Sequence, residues 1–136
     1  MYHPWRTLRT LNHIRLSLVK MPDGGLGRTN GVDAIWLDKR QQQVERRCTL
    51  THELVHIEHR HTECQPPAIE REVRAEAARR LIRFTDLLRH LAWARSFHEL
   101  ADELWVTEGV LADRVNNLTP EEWAAIEATE KQGDHV

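Results

Sequence analysis

Residues 13–19, His-Ile-Arg-Leu-Ser-Leu-Val, alternate polar and apolar side chains, and this period of two predicts a half-buried strand with Ile14, Leu16 and Leu18 on one face. The turn-forming run Pro22-Asp23-Gly24-Gly25 follows. After it come a short candidate strand from Leu26 to Asn30, closed by Asn30-Gly31, and the β-prone run Ala34-Ile35-Trp36-Leu37. Together these segments predict a small antiparallel sheet. The pattern then changes. Asp38 with Gln41 three residues later reads as a capping box, and neither Gly nor Pro appears until Pro66, so a long helix is expected over about Lys39 to His61. Pro66-Pro67 breaks it and suits the first turn of a second helix, about Ala68 to Leu81, and a further helical stretch covers about Leu87 to Phe97. Leu100 to Asn117 reads as two short helices around a turn, Thr119-Pro120-Glu121-Glu122 opens a last helix, and residues 132–136 read as a frayed tail. Strands first and helices afterwards predict an α+β fold in a single domain, residues 1–136.

Composition adds limits. A chain of 136 residues, 40% hydrophobic and 29% charged, has the size and makeup of one soluble domain. A net charge of -2 gives no global reason to expect nucleic acid or a membrane surface as partner. No run approaches the roughly 18 apolar residues of a membrane span, and the start, Met-Tyr-His-Pro-Trp-Arg, lacks the apolar stretch of a secretory signal, so the expected compartment is the cytoplasm. Cys48 and Cys64 lack Cys-x-x-Cys spacing and are expected as reduced thiols, the first in the core and the second in a polar loop.

The chemistry concentrates in His52-Glu53-Leu54-Val55-His56. Residues four apart share a helix face, so His52 and His56 can direct ring nitrogens at one ion with Glu53 beside it, the HExxH arrangement. Catalytic zinc needs a third protein ligand and an open position. Candidates on the following helix are Glu70, Glu72 and Glu76. Glu70 shares a stripe with Val73, Ala77, Leu81 and Phe84 at spacings of three and four, which favours it, whereas Glu72 and Glu76 lie off that stripe. His59 and His61 extend the cluster and read as a polar helix end. Zn2+ held by His52, His56 and Glu70 lowers the pKa of its water toward about 7, with Glu53 as general base and then general acid. Tyr2 is the only tyrosine, and no residue is assigned to the oxyanion. The strand from Ala34 to Asp38 offers an edge for an extended substrate or serves as a paired core strand.

The run from Leu50 to His56, preceded by Ile35-Trp36-Leu37-Asp38 and Glu45-Arg46-Arg47, resembles the ImmA/IrrE family of metallopeptidases of phages and mobile elements. The resemblance covers most of the chain. It implies a minimal zincin-like core with added helices, and a third ligand from a glutamate followed by x-x-Ala, a further alanine and paired leucines. Glu70-Arg71-Glu72-Val73 with Ala77 and Leu81 matches, with Val73 where the family usually has alanine, Glu76 where it often has phenylalanine, and no closing proline. The register in which Glu72 precedes Ala75 is the alternative. The resemblance also implies a protein substrate of the repressor type.

The carboxyl-terminal third carries a helix-turn-helix-like segment, about 99–118, with Ala101, Trp105-Val106, Thr107 and Leu111 at the corresponding offsets and Trp105 where glycine is usual. From Glu99 to Ala128 there are eight acidic residues and one basic one, Arg114, a balance that repels DNA and points to a packing module or protein-docking surface. Arg71 to Arg95 holds seven arginines against three acids, read as a solvated helix face. Trp93, Trp105 and Trp123 are expected in the core. The leading expectation is a zinc endopeptidase; the competing one is a non-catalytic zinc-containing protein that sequesters a regulator. Glu53 separates them, since a structural site is closed by four ligands and has no need of a free carboxylate.

Overall fold

In the computed structural model, residues 1–133 are described. They form, in order, α1 (Pro4–Thr10), β1 (Arg15–Val19), β2 (Gly27–Thr29), β3 (Ala34–Asp38), α2 (Gln43–Glu58), α3 (Pro67–Leu81), α4 (Phe84–Leu91), α5 (Phe97–Leu104), α6 (Glu108–Asn116) and α7 (Pro120–Gly133). The architecture is α+β, as expected. Beyond Gly133 the expected tail lies outside the described residues.

The sheet differs from the expected antiparallel one. Its order is β1-β3-β2, with β1 parallel to β3 and β2 antiparallel to it. The physical reason is that β2 and β3 form a hairpin, while β1 joins the far side of β3 instead of pairing with its sequence neighbour. Asn30 builds the hairpin turn: its Oδ1 accepts from the backbone N–H groups of Val32, Asp33 and Ala34, and Gly31 takes φ +76. Ile14 and Leu16 pack toward the core, but Leu18 is 46% exposed, so the buried face covers only the first part of the β1 pattern.

The expected long helix is shorter at both ends. Asp38 belongs to β3, and its carboxylate accepts from the Arg40 backbone and guanidinium instead of capping a helix. The capping box is Gln42 with Glu45, whose side chain accepts from the Gln42 N–H. The expected helix over 87–97 is broken: α4 stops at Leu91, and Ser96 caps α5 by accepting from Glu99 N–H. Helix α1 has no counterpart in the expectations. Pro4 stands in its first turn, and Trp5, Leu8 and Leu11 pack toward α2 and the sheet.

Helix α2 is the spine. Its Leu50 and Leu54 are fully buried with Ile35 and Leu37 of β3, each burial stabilising by roughly 1.5–3 kcal/mol. Its Cys48 joins a second core with Leu81, Leu87, Leu104 and Leu111, and Val55 packs on Val73 and Ala77 of α3. The helix is covered on both sides, so its register is tightly specified. Arg47, 1% exposed, ties this arrangement together. It donates to the Tyr2 carbonyl (2.9 Å), the Leu81 carbonyl at the end of α3 (3.3 Å) and the Trp105 carbonyl (2.6 Å), with its guanidinium 5.5 Å from the Trp105 ring. Trp105 adopts φ 56 in the turn between α5 and α6, the left-handed conformation glycine usually supplies. Against expectation the tryptophans lie outward: Trp93, in the α4–α5 connection, is 79% exposed, and Trp105 and Trp123 are also exposed. Ile126, not Trp123, carries the buried face of α7.

Candidate active site

His52 and His56 are one turn apart in the middle of α2, with Glu53 between them in sequence. Packing of Val55 against Val73 and Ala77 sets α3 alongside and turns Glu70, one turn before Val73, toward the histidines. His52 Nε2 and His56 Nε2 are 3.2 Å apart, His56 Nε2 is 3.0 Å from Glu70 Oε1, and His52 Nε2 is 3.3 Å from Glu70 Oε2. Three donor atoms therefore converge, each from a different side chain. Ligands at 2.0–2.1 Å from a tetrahedral zinc ion are separated by about 3.3 Å, so this donor set fits such an ion with little movement.

The electrostatics suit a cation. Burial lowers both histidine pKa values; each also feels a neighbouring histidine, while Glu70 pulls the other way. Neutral imidazole is the form that ligates a metal. Glu53 is 7% exposed, and its carboxyl is pushed from an ordinary 4.5 up to about 7, chiefly by burial and further by the Glu70 carboxylate, with Arg28 opposing. It stands beside the converging donors and is not one of them.

The alternative glutamates lie elsewhere. Glu76 accepts from Arg80 and lies 3.0 Å from His59 Nε2, and Glu72 is exposed on α3. The site opens into a cleft of about 420 Å³ whose walls include Gly27 of β2, Cys48 and His52 of α2, Arg74 of α3, and Val110 and Asp113 of α6. The helix-turn-helix-like segment thus forms one wall of the cleft beside the motif. That placement had no signal in the sequence beyond the caps and spacing of α5 and α6, because it depends on how α6 packs against α3. Arg74 and Asp113 face each other across the cleft at 3.9 Å. Of the two readings of the Ala34–Asp38 strand, the paired core strand holds: β3 is paired on both sides, and β2 is the edge strand that reaches the cleft.

Comparison with known proteins gives one match to a family model, the IrrE N-terminal-like domain of a peptidase family, over residues 11–116. Neither the curated proteins nor the solved structures contain a match. The matched span runs from just before β1 to the end of α6, and so takes in the sheet, the converging donors and the cleft. It covers most of the sequence, and the chain belongs to the IrrE N-terminal-like peptidase family.

Proposed function

We propose that the chain is a zinc-dependent endopeptidase in which His52, His56 and Glu70 hold the metal and Glu53 carries the proton. Its proposed substrate is a repressor-type regulatory protein of the cytoplasm. The carrying observation is the convergence of three side chains, whose nearest ring nitrogens and carboxylate oxygens lie 3.0–3.3 Å apart pair by pair, with the buried Glu53 carboxyl left outside the set. Zinc, when bound, supplies Lewis acidity that activates water near neutral pH and polarises the scissile carbonyl.

Glu53 takes the proton from the attacking water and delivers it to the leaving amine. Its burial beside the donor set, without being one of them, leaves its carboxyl free for both transfers. The unpaired edge of β2 supplies backbone groups for an extended substrate segment. Gly27 lets β2 lie close against α2 at the cleft, because a Cβ there would lie 2.5 Å from Thr49 Cγ2. Helix α6 faces the segment from the other wall, where Val110 and Asp113 meet its side chains. The regulator as substrate rests on the resemblance to ImmA/IrrE peptidases, and the cytoplasm on the free thiols Cys48 and Cys64.

The test is zinc content of purified wild type and of His52→Ala, Glu70→Ala, Glu72→Ala, Glu76→Ala and Glu53→Gln. The expected result is about one zinc per chain, lost on substitution of His52 or Glu70 and retained in the other three variants. A wild type that holds no zinc after supplementation would sink the proposal. Repressor cleavage by wild type and its loss in zinc-loaded Glu53→Gln complete the case; zinc bound without cleavage by either protein moves the chain to the sequestering alternative.

A further inference from the structure

Helix α2 ends in a way that returns the chain to its own active face. Arg60 takes φ 59, its N–H donates to the Ile57 carbonyl at 3.0 Å, and His61 N–H donates to the His56 carbonyl at 3.0 Å. This is a Schellman closure with arginine in the left-handed position that glycine usually fills. A left-handed arginine costs roughly 1–2 kcal/mol, so the turn is held by its surroundings. Those surroundings centre on His61. The Gly31 backbone lies so close that a Cβ there would be 2.1 Å from the His61 carbonyl oxygen, and the His59 ring stacks on the His61 ring at 5.6 Å. His59 is anchored in turn by Glu76.

The consequence is a contact behind the metal-facing side of His56. His56 Nε2 faces Glu70 and His52, and His56 Nδ1 lies 3.0 Å from His61 Nδ1. A neutral imidazole that offers its Nε2 lone pair to a metal carries its proton on Nδ1, and that N–H needs an acceptor. His61 Nδ1 is within reach as that acceptor, which places the His61 proton on Nε2.

We propose that His61 is a positioning residue. By accepting the His56 Nδ1–H it fixes the tautomer and ring rotation in which His56 Nε2 points at the metal. This rests on the zinc reading above. Its logic is that of the carboxylate or carbonyl that usually stands behind a ligating histidine, with an imidazole in that place.

The experiment measures zinc affinity by competition with a chromophoric chelator for wild type, His61→Ala and His61→Asn. It is paired with ¹⁵N-detected histidine tautomers of the folded proteins. Asn keeps an acceptor oxygen near the position of Nδ1; Ala removes it. His61→Ala is expected to weaken zinc binding by about 10–100-fold and to mix the His56 tautomers. His61→Asn should recover most of both. Wild-type affinity with an unchanged His56 tautomer in His61→Ala would overturn the proposal and leave the zinc site standing. Equal losses in both variants with the Nδ1–H tautomer intact would overturn it too, by assigning His61 a purely structural role. A wild type that binds no zinc removes the site itself and the proposal with it. Where His61→Ala is too unstable to load, His61→Leu, which fills the space and offers no acceptor, takes its place in both measurements with the same expected losses.

Discussion

Replacing Glu53 by Gln should stabilise the chelator-treated protein, and should do so only where the carboxyl is ionised. Glu53 is buried at 7% exposure, and the gap between its ordinary 4.5 and about 7 corresponds to about 3 kcal/mol against the charged form. The sign follows from proton counts. Below 4.5 both folded and unfolded chains hold the proton; between 4.5 and about 7 the folded chain keeps a proton that the unfolded chain has released. Wild-type stability from this group therefore falls as pH rises through that window, and the full penalty stands above it. The lowered pKa values of His52 and His56 act oppositely, weakening the fold on acidification, but both histidines are present in both proteins and cancel in the difference. Urea denaturation at pH 5 and pH 8 measures it. Glu53→Gln should gain about 3 kcal/mol at the higher pH and a small fraction of that at the lower. No gain at pH 8, or equal gains at both, would refute the reasoning, since equal gains would mean altered packing.

Other consequences are as definite. Arg47→Met removes donors to the Tyr2, Leu81 and Trp105 carbonyls and should cost about 3 kcal/mol, read as a lower urea midpoint; an unchanged midpoint would show those carbonyls are satisfied without it. Gly31→Ala forces a Cβ to within 2.1 Å of the His61 carbonyl at φ +76 and should destabilise by roughly 2 kcal/mol or more, together with a drop in zinc affinity from the displaced His61; denaturation and chelator competition check the two effects. Zinc at about 100 times its dissociation constant should stabilise wild type by roughly 2.7 kcal/mol in a thermal-shift assay, reversed by chelator, with no response in His56→Ala.

Local chemistry was legible in the sequence and long-range placement was not. The HExxH helix, the Thr107 and Thr119 caps, the start of α3 at its paired prolines and the favoured position of Glu70 all depend on spacings within a few residues. The placement of Glu70 beside the histidines follows from its stripe, because the residues that pack α3 on α2, Val73 and Ala77, share its face. The parallel pairing of β1 with β3 could not be read this way, since alternation predicts a strand and not its neighbour. Nor could the break after Leu91, where helix propensity runs on but the chain must turn to place Ser96 before α5. His61 was visible only as one more histidine; its contact with His56 depends on a left-handed Arg60.

These features belong to one arrangement. Groups that burial disfavours are concentrated on one stretch of α2: the Glu53 carboxyl, and two histidines 3.2 Å apart that must stay neutral. Such a stretch keeps its geometry only if the helix cannot rotate or shift to expose them. The residues interleaved with them supply that restraint. Leu50 and Leu54 lock one side of α2 onto β3, Val55 locks another onto α3, and Arg47 joins the helix to the amino terminus, the end of α3 and the α5–α6 turn. The helix-turn-helix-like segment is part of the same restraint, because the Trp105 carbonyl that Arg47 holds lies in its turn and α6 walls the cleft beside His52. The place of this acidic segment in the fold is therefore structural: it walls the cleft beside His52 and, through the Trp105 carbonyl, holds the helix that carries the donors.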